Sequence, residues 1–149
     1  MPDLELSSPA FDHGEPIPEK HTADGQGTSP PLEWNFVPEA TRSMALIVLD
    51  PDAPSGDFIH WLAWNIDPEA GGLQEGAPAP AQGTHGFGGP GYAGPAPPPG
   101  HGPHRYFFHL YALDTDLDLE HGASRDQLET AIDGHVLAEA ELMGTYGRR

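Results

Sequence analysis

Met44 to Ile66 reads MALIVLDPDAPSGDFIHWLAWNI. Its first six residues, Met44 to Leu49, are a continuous apolar run, too short for a buried helix and the right length for a core strand. Ile59 to Ile66 (IHWLAWNI) is rich in branched and aromatic residues, which suit a pleated surface. Between them lies DPDAPSGD, a cluster of aspartate, proline and glycine, the residue types that build turns. Two strands joined by a short turn pair antiparallel, so the end of the first lies beside the start of the second.

Outward from this hairpin the texture stays β. Arg105 to Leu113 (RYFFHLYAL) has the character of a third strong strand. Ser29 to Pro38 alternates Leu32, Trp34 and Phe36 on one side, a strand bounded by prolines. Leu4 and Leu6 alternate with acids, and Ile17, flanked by Pro16 and Pro18, belongs to an edge or a loop. Toward the C-terminus the period changes. Ser124 is a good N-cap, and Leu128, Ala131 and Ile132 fall at helical spacing. Gly134 interrupts that helix, and His135 to about Leu142 reads as a second helical piece, followed by a short strand in GTYGRR. Strands without long intervening helices point to an antiparallel sandwich or barrel. With 149 residues, no repeat and no linker, residues 1–149 form one domain.

Composition narrows the function classes. Aspartate and glutamate total 23 against 6 lysines and arginines, a formal charge of −17. Such a chain lacks the clustered cations that binding to nucleic acid or an anionic membrane surface needs. The acids run from Asp3 to Glu141 rather than forming a tail, and Lys20 is the sole lysine. An acid-rich, lysine-poor surface fits a protein of high-salt surroundings, where the repulsion is screened. There are no cysteines, which excludes disulfides and thiolate chemistry. No signal peptide and no apolar span of membrane length are visible, so a cytoplasmic location is expected.

Glycine supplies 19 residues and proline 18, and they crowd between Gly71 and Pro103. A connection that long is functional or disordered as a rule. Phe87, Tyr92 and the stiff PAPPPG block favour the former. The hairpin geometry brings Asp50, Asp52 and His60 to one rim of a sheet. His104 and Tyr106, two residues apart at the start of the third strand, share a face. If that strand runs in the same direction as the second, all five meet beside the proline-glycine loop.

Two histidines, a tyrosine and loop N–H groups are donors, and neighbouring carboxylates would keep the imidazoles protonated. This set selects a small anion such as phosphate or sulfate. A rival reading takes the same histidines and carboxylates as ligands for zinc or non-haem iron, or as the acid and base of a hydrolase. No G-x-S-x-G elbow and no phosphate-loop lysine accompany them. Asp50 and Asp52 could also serve only the turn, and Tyr106 only the core. His109 and His135 read as structural.

DPDAPSG at Asp50 to Gly56, His60-Trp61, and GYAGPAPPPGHGPHRYFFHLYALD at Gly91 to Asp114 resemble the phosphatidylethanolamine-binding protein family, most closely its bacterial and archaeal Raf-kinase-inhibitor-like branch. The likeness spans nearly the whole chain. It implies a mainly β fold, an antiparallel Greek-key β-sandwich with one or two short C-terminal helices. It also implies an anion pocket formed by Asp50, Asp52, His60, Gly94, Pro97, Pro98, His104 and Tyr106. By the same resemblance the protein is a non-enzymatic binding protein without a cofactor, a homodimer, and a possible regulator of a phosphorylated partner. The resemblance further suggests a cis Ala53–Pro54 bond. Relatives often carry cysteine where this chain has Ala23 and Ala96. The long C-terminal helix of vertebrate members is missing, so their kinase inhibition and lipid selectivity do not carry over.

Overall fold

The computed structural model describes residues 3–54 and 56–148. Among the described residues eight strands form two antiparallel sheets. The smaller has the order β1 (Glu5–Ser7), β2 (Leu32–Asn35), β5 (Gly72–Leu73). The larger has the order β6 (Ala81–Gln82), β4 (Phe58–Ile66), β3 (Ser43–Asp50), β7 (His104–Leu113), β8 (Val136–Tyr146). One α-helix, α1 (Arg125–Ile132), packs on the larger sheet, and two single-turn 3-10 helices cover Glu19–His21 and Pro68–Ala70. The architecture is a mainly β sandwich and not a closed barrel.

The apolar run of β3 follows from its place. It is the central strand, and every residue from Ser43 to Asp50 is buried. Its even-numbered side chains, Met44, Leu46 and Val48, enter the core between the sheets with Leu6, Trp34, Trp61 and Phe108. Its odd-numbered ones, Ala45, Ile47 and Leu49, enter a second core with Trp64, Leu117, Leu128 and Ile132. A strand covered on both faces has no polar side to show. Both neighbours of β3 run antiparallel to it, so β4 and β7 point the same way and start on the same rim. That is the direction the pocket required.

Three expectations fail. The second C-terminal helix is instead β8, which pairs with β7 from Val136 to Tyr146. Alanine and glutamate favour helices in isolation, but Ala138, Ala140 and Leu142 face the core in alternation with Glu139 and Glu141. Ten paired positions on β7 outweigh the intrinsic preference. Phe36 does not continue the alternation of Leu32 and Trp34. The strand ends at Asn35, and Phe36 turns off at a φ of 62° and is 51 % exposed. Finally, no peptide bond among the described residues is cis. Ala53 and Pro54 sit in a turn closed by the Gly56 N–H donating to the Ala53 carbonyl at 3.0 Å, and a proline at the second position of such a turn is at home with a trans bond. The helix α1 forms as expected, with a reciprocal capping box between Ser124 and Gln127.

Candidate binding site

The proline-glycine connection is ordered by specific ties rather than by packing alone. The Tyr92 hydroxyl donates to the His21 carbonyl at 2.6 Å, and the Trp61 indole donates to Gln82 at 2.9 Å. The Ala93 N–H donates to the His60 carbonyl at 2.8 Å. Two glycines allow close approaches. A Cβ on Gly94 would lie 2.7 Å from the backbone of Thr22, and one on Gly86 would collide with the Phe58 ring. The connection thereby folds over the rim where β3 ends and β4 and β7 begin.

A cavity of about 230 Å³ opens there, lined by Asp50, Ala53, Pro54, Phe58, His60, Phe87, Ala96, Pro97, Pro98, His104 and Tyr106. Six of the eight residues singled out from the sequence meet on its wall: Asp50, His60, Pro97, Pro98, His104 and Tyr106. Two do not. Gly94 stands behind the wall, against Thr22 and Ala23. Asp52 turns outward and holds Arg105 with three bonds: it accepts from the Arg105 backbone N–H at Oδ2 at 2.9 Å, from Nε at Oδ2 at 2.9 Å and from Nη2 at Oδ1 at 2.8 Å. That hydrogen-bonded guanidinium keeps the Asp52 carboxyl down at about 2.

The polar groups of the wall are deeply set: Asp50 is 3 % exposed, His60 3 %, His104 2 % and Tyr106 1 %. Asp50 does two things. Its Oδ1 accepts from the Asp52 N–H at 2.7 Å, which closes the turn, and its Oδ2 accepts from His104 Nδ1 at 2.6 Å. Asp50 thus closes the turn and stands on the cavity wall at once. A carboxylate only accepts, so His104 carries its proton on Nδ1. Its Nε2 meets Nδ1 of His101, an exposed residue just outside the cavity. His60 is fixed in the same way, since its Nδ1 lies 2.7 Å from the Ala93 carbonyl, which can only accept. Nε2 is left as its remaining polar atom.

Burial pushes the His60 pKa down, against the opposing pull of the Ala93 bond and the Asp50 charge. The ring is thus neutral near pH 7, and the expected cationic imidazole is not found at this position. The loop's supply of backbone donors is also thinner than expected, because Pro95, Pro97, Pro98 and Pro99 have no N–H. Tyr106 is pushed up, first by burial and then by the Asp50 charge. Its hydroxyl is closed to solvent and makes no well-formed hydrogen bond among the described residues, although the Asp50 carboxylate is near enough to act on it. A buried hydroxyl without a partner is costly and calls for an explanation.

The remaining walls are apolar and were missed from the sequence. Phe58 packs on His60 with centroids 5.1 Å apart and on Phe87 at 4.7 Å. Phe58 precedes His60 by two residues, so strand alternation already put them on one face. Phe87, 60 % exposed at the cavity mouth, had no comparable signal. Among the described residues no group of three or more His, Cys, Asp or Glu side chains is arranged to hold a metal ion. Asp50 and His104 spend their facing atoms on each other.

Residues 7–147 match the family described as phosphatidylethanolamine-binding protein. The chain belongs to the phosphatidylethanolamine-binding protein family. It is 48 % identical to a UPF0098 protein of Methanothermobacter thermautotrophicus, over 97 % of this chain and 99 % of that one. Among solved structures it is similar to a phosphatidylethanolamine-binding protein homologue from Chlamydia trachomatis, with a TM-score of 0.94, 44 % identity and 99 % of each chain covered. It is also similar to E. coli YbcL, described as a new member of the mammalian phosphatidylethanolamine-binding protein family, with a TM-score of 0.92, 30 % identity, and 99 % and 100 % covered. Members of the phosphatidylethanolamine-binding protein family are typically binding proteins. Among the described residues no helix is long and apolar enough to cross a membrane.

Proposed function

We propose that the protein is a non-enzymatic binding protein whose pocket takes a small oxyanion, phosphate or a phosphorylated group, together with one proton. The observation that carries this is the Tyr106 hydroxyl, buried without a partner on the same wall as His60. An anionic oxygen supplies the missing acceptor, and hydrogen bonds to charged groups are the strong ones. His60 in its neutral form offers Nε2 as an acceptor. It meets the ligand either by taking up a proton or by accepting from a protonated phosphate. Either route places one proton between ring and ligand, so affinity falls as pH rises above the ligand's second pKa, about 6 for a phosphorylated group and higher for inorganic phosphate. Phe58, Phe87 and the prolines exclude water around that contact, which strengthens it.

Histidine NMR during a phosphate titration tests this. The expected result is shifts at His60 and His104 with millimolar phosphate. Unmoved histidines, or an affinity flat between pH 5 and 8, would contradict it. No observation favours the hydrolase reading, and no serine or threonine hydroxyl of the described residues lines the cavity.

The same reading includes membership of the Raf-kinase-inhibitor-like branch, a homodimeric and cytoplasmic protein, and a phosphorylated protein partner. It also includes a surface suited to high salt, motivated by the −17 charge. Chemical unfolding in dilute and in molar salt tests the last point, and stability unchanged by salt would refute it.

A further inference from the structure

His101 is used neither by the fold's core nor by the cavity wall, yet it makes a specific contact. The buried pair of Asp50 and His104 is fully committed on its inner side, where the carboxylate holds Nδ1 at 2.6 Å. This leaves His104 one atom to offer, Nε2, and His101 Nδ1 occupies it. One of the two nitrogens supplies the N–H of this contact and the other the lone pair.

The two rings meet edge to face, with centroids 4.8 Å apart. On its other side His104 stacks beside Tyr106, at 6.5 Å and 26°. The Tyr106 hydroxyl beside it is closed to solvent.

The segment carrying His101 is built to yield. Gly100 and Gly102 flank it with φ of 76° and 81°, and nothing lies within 4 Å of where their Cβ atoms would be. The ring is exposed, and the turn beneath it is held by the His101 N–H donating to the Pro98 carbonyl at 3.2 Å. The side chain can swing outward without breaking that turn or opening the core.

We propose that His101 is a latch: its imidazole occupies Nε2 of His104, and an anion that enters the pocket with a proton takes that nitrogen in its place, the proton lying between Nε2 and an anion oxygen. This rests on the oxyanion reading of the pocket and adds a residue that regulates entry. In the bound state His104 passes from a ring with both nitrogens satisfied internally to one that contacts ligand, and His101 is released to water.

The test is calorimetric titration of inorganic phosphate into the wild-type protein, His101→Ala and His101→Gln, with ¹⁵N-histidine NMR on the wild type. Alanine removes the competitor, so phosphate binds about fivefold tighter, the scale of one ordinary hydrogen bond. Glutamine keeps an N–H that can reach His104 and restores near-wild-type affinity. In the NMR titration His101 shifts together with His60 and His104. Weaker binding by His101→Ala would make His101 a ligand and overturn the latch, as would unchanged affinity or a His101 signal that stays put while His60 moves. If none of the three proteins binds phosphate, the oxyanion reading falls as well, an outcome separate from failure of the latch alone.

Discussion

Replacing Tyr106 with phenylalanine separates stability from binding, because the two effects have opposite signs. The ring is 1 % exposed and packs in the core between the sheets, and phenylalanine keeps that packing. What is lost is a hydroxyl that has no partner in the empty protein. Burying such a group costs roughly 1–3 kcal/mol. At the lower end of that range the variant gains about 1 kcal/mol, which for a domain of this size raises Tm by about 2–4 °C. In the bound state the same hydroxyl donates to an anion, a bond worth about 1.5–3 kcal/mol. Its loss weakens phosphate binding by roughly 10- to 150-fold. Differential scanning calorimetry without ligand and isothermal titration with phosphate give both numbers from one preparation. A variant that melts lower and binds unchanged would refute the reasoning, since Tyr106 would then be stabilising the empty fold and serving no ligand.

Three further outcomes follow from the geometry. Asp50→Ala leaves His104 Nδ1 and the Asp52 N–H without their acceptor, and urea unfolding should show a loss of about 3 kcal/mol, as for other broken buried pairs. Because burial lowers the His60 pKa, the unfolded chain binds that proton first. Stability due to His60 is complete above pH 6.5 and is lost as pH falls through the lower native value; His60→Gln should therefore flatten the stability profile below pH 6.5, and an unaltered slope would count against it. Gly94→Ala would set a Cβ 2.7 Å from the Thr22 backbone, which cannot step aside as a side chain can. Thermal melts should show a loss of about 1–3 kcal/mol, and a neutral substitution would mean that the loop is not seated where it is described.

Much of the fold and site could be read before any coordinates, for identifiable reasons. The β3 run announced a core strand, and strand direction brought His60, His104 and Tyr106 to one rim. The residues at 135–142 were misread because alanine and glutamate carry helix preference, whereas the alternation that pairs them with β7 depends on a strand distant in sequence. Asp52 was drawn into the pocket by proximity to Asp50, yet Arg105 offers it a bidentate partner outside. Neutral His60 was missed because its charge depends on burial, and burial is decided by how the 71–103 connection folds over it. His101 left only a faint trace, a histidine between two glycines.

The most direct measurement is a crystal structure of the protein grown with phosphate at neutral pH. Tetrahedral density between His60 Nε2 and the Tyr106 hydroxyl, each within about 3 Å of an oxygen, is the expected result. A cavity that holds only water under those conditions, with Tyr106 still unpartnered, would contradict the pocket's assignment.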